Sequence, residues 1–115
     1  MQRDSERLVD MLGAAKGIRS RTEGASRETF DADEDLQLIL THLVEIIGEA
    51  ARNVSQAFCG EHPEIPWAKI VGMRHRLVHD YGNIDLEQVW GTATEDIPTL
   101  IALIEPLITP EEPAL

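Results

Sequence analysis

Five side chains with reactive or phosphate-binding chemistry stand close together in one stretch of this chain. In WAKIVGMRHRLVHDY, residues 67–81, they are Arg74, His75, Arg76, His79 and Tyr81. An imidazole titrates at about pH 6.5, so a histidine can take or give a proton near neutrality. A guanidinium can hold a phosphate and stabilise the charge that develops on it. Together these groups suit phosphodiester chemistry. RNA brings its own nucleophile, the 2′-hydroxyl, so the protein need supply none. Zinc is a second option for His75 and His79, which have i, i+4 spacing. That spacing stands without an HExxH pattern and without an obvious third ligand, so no metal is expected. A packed, hydrogen-bonded histidine is the ordinary alternative for either one.

These residues need a helix to carry them. Trp67, Ile70, Val71, Leu77 and Val78 recur at the spacing of a packed helical stripe. Position 74 continues the stripe, yet it is Arg, which predicts a cation facing packed surface and in need of a partner. The spacing predicts one helix from about Trp67, with Pro66 in its first turn and Gly82 as its C-terminal cap. On an ideal helix Arg74 and His79 are about 140° apart. Arg74 must then reach around, or a second protomer must complete the site. Tyr81, seven residues on, would lie within about 20° of Arg74.

The rest of the chain also reads as helix. Leu8, Met11, Leu12, Ala15, Ile18 and Arg19 predict a first helix over 5–22, ending near Gly24. Residues 23–32 read as a connection in which Phe30 anchors the loop to the core. Asp31 or Asp33 is the expected N-cap of a second helix running to about Phe58. Its stripe is Leu36, Leu40, Leu43, Ile47, Ala50, Val54 and Phe58, widened by Ile39, Ile46 and Ala51. Leu38, Thr41, His42, Glu45, Gly48, Glu49 and Arg52 fall opposite. Gly48 either admits a neighbouring backbone or is simply tolerated. Glu45 and Glu49 either neutralise Arg74 or Arg76 or form a solvated face. Asn83 or Asp85 should cap a last helix, whose stripe from Leu86 to Leu107 keeps its phase across Pro98. One kinked helix is expected there, followed by a frayed tail from about 109. The expectation is a single all-α domain over 1–115, an antiparallel bundle of four to five helices.

Composition narrows the classes. With 4% aromatic residues the core must be aliphatic, and small aliphatic helical domains often gain stability by pairing with a second copy. One cysteine, Cys59, excludes an internal disulfide framework and reads as a small buried hydrophobe. The N-terminus has charge throughout and no apolar run of signal-peptide length. No run approaches a membrane span, so a cytoplasmic location is the default. The net charge of −11 is poor for non-specific nucleic-acid binding, but the distribution is uneven. Residues 28–35, ETFDADED, are acidic, whereas 66–79 hold Lys69, Arg74 and Arg76 and no acid. Lys16, Arg19, Arg21 and Arg27 form a second basic zone. A local basic groove in an acidic shell could admit RNA at one place; the plainer reading is a set of solvated faces that aid solubility.

Arg74, four residues, His79, one residue and Tyr81 spell R-x4-H-x-Y. This resembles the signature of the HEPN superfamily, and within it the HepT-like toxins. VEIIGEAARN, PEIPWAKIVGMRHRLVHDYGNIDLEQVW and a late EDIP extend the likeness from about residue 30, with a looser match in the first helix. Position 75 is His where the family frequently has Asn, and it is still polar. The resemblance implies a homodimeric HEPN-like bundle and metal-independent RNA cleavage in a type VII toxin–antitoxin system. His79 would be the general base or acid, and Arg74 would orient and stabilise the phosphate. His75 and Arg76 would support them, and no cofactor is implied. The implied partner is a minimal nucleotidyltransferase antitoxin that adenylylates the motif tyrosine, Tyr81. The alternative is an inactive HEPN-type scaffold that binds nucleotide or a protein partner, with Arg74 held in an interhelical ion pair.

Overall fold

Asp33 starts the helix on which most of the others pack. Its carboxylate accepts from the Leu36 N–H at 3.0 Å, and Glu34 and Asp35 follow in the first turn, where acids suit the helix dipole. In the computed structural model, which describes residues 3–78 and 83–108, this helix spans Glu34–Arg52. It is the third in chain order. Helix α1 (Asp4–Thr22) precedes it and buries Leu8, Met11, Ala14, Ala15 and Ile18 along its length. Gly24, at φ 75°, then turns the chain in a left-handed conformation that other residues adopt at a cost. The expected connection holds a short helix, α2 (Arg27–Asp31), with a capping box between Ser26 and Thr29. Phe30 is fully buried, as expected, and its ring centroid is 5.1 Å from that of Trp90.

The glutamate-to-arginine helix, α3, is shorter than the stripe predicts. It ends at Arg52, where Asn53 Nδ2 donates to the Glu49 carbonyl at 2.8 Å. Ser55 then caps a separate helix, α4 (Gln56–Glu61), accepting from the Phe58 N–H at 3.1 Å. Two capping side chains within three residues, Asn53 and Ser55, outweigh the apolar periodicity that runs on to Phe58. Ser55 also donates its hydroxyl and its N–H to Asp4, at 2.6 and 2.9 Å. These bonds hold the Asp4 carboxyl below the usual range. They also place the start of α1 beside the end of α3, so the two run antiparallel. Cys59 is half-buried rather than a core residue, and burial pushes its thiol up.

The predicted helix over the motif is broken. Pro66 stands at the N-cap rather than within the first turn, and α5 covers Trp67–Val71. Gly72, at φ −86° and ψ −2°, separates it from α6 (Met73–Leu77). Ile70, Met73 and Leu77, at i, i+3 and i+7, take the buried positions, so Arg74 faces outward instead of into packing. Val78 is extended, at φ −126° and ψ 116°, and pairs as an isolated antiparallel bridge with Ile84. The helix therefore stops at Leu77, well before Gly82, and angles drawn along an ideal helix to His79 or Tyr81 do not apply.

Asp85 caps α7 (Leu86–Gly91) through the Gln88 N–H at 3.1 Å. A π-helical turn, Thr92–Asp96, leads into α8 (Ile97–Ile104). Pro98 has no N–H to give to the carbonyl of residue 94, which weakens the α-ladder at this place. The spacing contributes as well. Val89, Ala93, Ile97 and Ile101 are all buried. On an ideal α-helix each four-residue step overshoots the face by about 40°. A wider turn reduces that drift. The last helix is thus continuous, as expected, and its irregularity is a π turn that precedes Pro98. The tail from about 109 lies outside the described residues. Among those residues there are no strands, the architecture is an all-α HEPN-like bundle, and no helix is long and apolar enough to cross a membrane.

Candidate functional site

Arg74 is brought to an exposed edge where α6 meets α3. Its side chain is 51% exposed, and its Nε lies 3.3 Å from Glu45 Oε1. Of the two acids expected to neutralise this region, Glu45 reaches Arg74, whereas Glu49 pairs with Arg52 at 2.9 Å. Gly48 lies where the two elements approach. A Cβ there would stand 3.4 Å from the Ile70 carbonyl oxygen and 3.5 Å from that of Val71. The carbonyl end of α5 therefore rests directly on the α3 backbone. Glu45 is almost one turn before Gly48 on the same side of α3, and Arg74 follows Val71 by three residues.

An open cleft of about 510 Å³ runs past Arg74 between α1 and α3, lined also by Arg7, Asp10, His42, Glu45, Ile46 and Glu49. His42 belongs to this cleft although the α3 pattern assigns it only to the outer face. The signal was its i, i+3 relation to Glu45. His75, exposed, borders a smaller hollow of about 190 Å³ with Gly48, Arg52, Val71 and Arg74. Arg76 lies about 200° around α6 from Arg74. One of its terminal nitrogens is buried with no hydrogen-bond partner among the described residues. Arg74 and His75 are thus neighbours at one edge, and Arg76 points elsewhere.

His79 and Tyr81 lie outside the described residues. The chain on either side of them is fixed. Beyond the bridge between Val78 and Ile84, the Asp85 N–H donates to the Leu77 carbonyl at 2.7 Å. Both ends of the segment that carries His79 and Tyr81 are therefore tied to the C-terminal end of α6, next to Arg74. Among the described residues no group of three or more His, Cys, Asp or Glu is placed to hold a metal ion.

The second basic zone has a different fate. Arg19 pairs with Glu23 at 3.9 Å, Arg27 with Asp31 at 2.8 Å, and Lys16 with Glu105 at 2.8 Å. Arg21 donates to the Gly17 carbonyl at 3.1 Å. Lys69, from the motif stretch, reaches Asp96 of the π turn at 3.5 Å.

Residues 11–107 match the family model described as ribonuclease HepT-like. The chain belongs to the HepT-like ribonuclease family. A protein of Thermococcus cleftensis named "Probable ribonuclease HepT" is 38% identical over 100 residues, covering 87% of this chain and 91% of that one. A "Putative RNase" of Caldanaerobacter subterraneus subsp. tengcongensis is 34% identical over 105 residues, covering 91% and 94%. Another protein so named, from Methanocaldococcus jannaschii, is 31% identical over 101 residues, covering 88% and 84%. No solved structure shows a significant match. The family match spans α1 to α8, so the HepT-like character belongs to the bundle as a whole and not to the short motif alone.

Proposed function

We propose that this chain is an RNA endonuclease, the toxin of a type VII HEPN/nucleotidyltransferase pair, and that it cleaves without a metal. The family match over residues 11–107 is the observation that carries the reading. The exposed placement of Arg74 on an open cleft is consistent with it. The 2′-hydroxyl of the substrate attacks the adjacent phosphorus, and the bond to the leaving 5′-oxygen breaks. His79 moves the proton as general base or acid. Arg74 holds the phosphate oxygens and stabilises their growing charge. His75, beside Arg74, has a supporting role in charge balance, whereas Arg76, expected to share it, points away from this edge.

The working unit is a homodimer. Leu38, Ile39 and Ile46 on α3 and Val71 on α5 are exposed, and such apolar surface suits burial against a second copy. The partner antitoxin is a small nucleotidyltransferase that transfers AMP to Tyr81. The added phosphate would compete with RNA for the same guanidinium. The scaffold alternative has one observation in its favour, the interhelical Arg74–Glu45 pair. That pair is half-exposed, at 3.3 Å between Nε and the carboxylate, and such pairs contribute about 1 kcal/mol or less. It leaves Arg74 able to exchange partners.

The test is RNA cleavage by wild type, Arg74→Ala and His79→Ala, each with EDTA present. Both variants should be folded and inactive. Wild-type activity in folded His79→Ala, or loss of wild-type activity with EDTA, removes the proposed mechanism. Co-expression with a cognate nucleotidyltransferase should add AMP mass to wild type but not to Tyr81→Phe. Undiminished AMP on Tyr81→Phe places the modification elsewhere.

A further inference from the structure

We infer that Glu45 is a positioning residue for Arg74, fixing the guanidinium so that its terminal edge is presented to a substrate phosphate. This rests on the ribonuclease reading above. The carboxylate oxygen meets Arg74 at Nε, 3.3 Å away. A guanidinium has a side edge that includes Nε and an end edge made of its two terminal nitrogens. Glu45 takes the first. Among the described residues no second carboxylate is paired with Arg74, and the end edge is the one that grips a phosphate with two parallel hydrogen bonds.

The two partners come from separate elements, and the fold fixes their distance. The Ile70 and Val71 carbonyls rest on α3 at Gly48, which sets the height of the chain that leads into α6. The exposure of both side chains, 51% and 39%, makes the pair a poor stabiliser of the fold. It is well suited to another task. An arginine side chain loses much rotational freedom when it grips a ligand, and one already oriented loses less. Glu45 also puts a negative charge beside a site for an anion, which by itself weakens RNA binding. Positioning and simple electrostatics therefore predict effects on different constants.

The experiment measures kcat, KM and the Kd of a 2′-O-methyl RNA, which binds but has no attacking hydroxyl. It compares wild type, Glu45→Ala, Glu45→Gln and Arg74→Lys, together with Glu45→Ala in the Arg74→Lys background. Glu45→Ala should lower kcat about tenfold, a loss in the range expected for a misplaced catalytic group, while the Kd stays level or tightens. Glu45→Gln keeps an oxygen that can accept from Nε and should retain kcat within about threefold. Lysine has no Nε edge, so Glu45→Ala should change kcat less than about twofold in the Arg74→Lys background.

An unchanged kcat in Glu45→Ala overturns the inference. So does the same loss with and without Arg74, or a rise in kcat/KM, which would make Glu45 only a competitor for the phosphate. If wild type itself cleaves no RNA, the ribonuclease reading falls and takes the inference with it. That outcome is distinct from active wild type with an indifferent Glu45.

Discussion

The chain carries two basic zones that look alike in sequence, one around the end of α1 and one on α5 and α6. At the end of α1 the charges are used close to home. Arg19, Arg21 and Arg27 each find a partner within four residues, and Lys16 reaches a glutamate at the end of α8. On α6, Arg74 meets a carboxylate delivered by another helix, at the lip of a cleft. The flanking sequence explains the contrast. Glu23 and Asp31 stand one helical turn from an arginine, whereas residues 66–79 hold no acid. Cations without local acids must wait for partners supplied by the fold or by a ligand.

The sharpest way to break this comparison is to remove cations from each zone. Arg74→Ala should reduce RNA cleavage by at least about a hundredfold. Arg19→Ala and Arg27→Ala should change it less than about twofold, because exposed paired charges contribute little. Equal losses in single-turnover assays of both zones would erase the distinction.

Ile39 and Ile46 sharpen it further. Ile39 borders a hollow with Arg21, and Ile46 lines the cleft with Arg74. Ile46→Asp should weaken the proposed dimer about tenfold or more and reduce cleavage with it. Ile39→Asp should weaken association while leaving cleavage per dimer nearer to wild type. Sedimentation velocity with parallel activity assays reads both, and a dimer indifferent to Ile46→Asp moves the interface off this face.

Gly48 tests whether the fold delivers Glu45 to Arg74. Gly48→Val has no room beneath the two carbonyls and should destabilise the protein by about 2 kcal/mol. Gly48→Ala should be near neutral, since a gain of about 1 kcal/mol in helix propensity opposes the tight contact. Urea unfolding distinguishes them, and an unaffected Gly48→Val would show that α5 does not rest there.

The smallest effect belongs to a cross-element carboxylate of a different kind. Asp4 accepts two hydrogen bonds from Ser55, which depress its carboxyl. A depressed acid stabilises the fold above its unfolded value, and the contribution fades as pH falls through the lower folded value. Asp4→Ala should therefore cost about 1 kcal/mol at pH 7. The difference from wild type should vanish in acid, below the ordinary carboxylate range. A difference that persists there would mean that packing, not the charge, is what Asp4 provides.

Most of the bundle was legible because buried faces repeat. Leu8, Met11, Ala15 and Ile18 on α1, Leu40, Ile47, Ala50 and Ala51 on α3, and Val89, Ala93, Ile97, Leu100, Ile101 and Ile104 at the end of the chain occupy the core positions that periodicity assigns them, and Asp33, Asp85 and Phe30 do what their types suggest. The buried face of α3 is nevertheless turned from the expected one: Ile39 and Ile46 are exposed, whereas Thr41, Val44 and Gly48 are buried. The misread helix ends share one physical origin. Apolar spacing does not register a local hydrogen bond that ends a helix, so Asn53 and Ser55 were overrun and Gly72 was read through. The assignment of Arg74 to the packed face has another cause: positions 73 and 74 both continue the stripe from Ile70 to Leu77, and Met73 is the one that is buried. Arg74 and His75 were found as neighbours by composition alone. Glu45 was only half legible, since its partner depends on how closely α5 approaches Gly48, a distance that no one-dimensional pattern contains.

The π turn at Thr92–Asp96 has a consequence for the length of the chain itself. Such a turn is an α-helix holding one residue more than it needs. Deleting Thr94 would change the spacing of Val89, Ala93, Ile97 and Ile101 from three steps of four to four, three and four. An ordinary α-helix keeps that spacing on one face. A single-residue deletion elsewhere in α8 would rotate every following side chain by about 100° and strip the core. The last helix should therefore tolerate the loss of a residue at this turn far better than at Thr99, ahead of Leu100, Ile101 and Ile104, and related chains one residue shorter here would pack the same face.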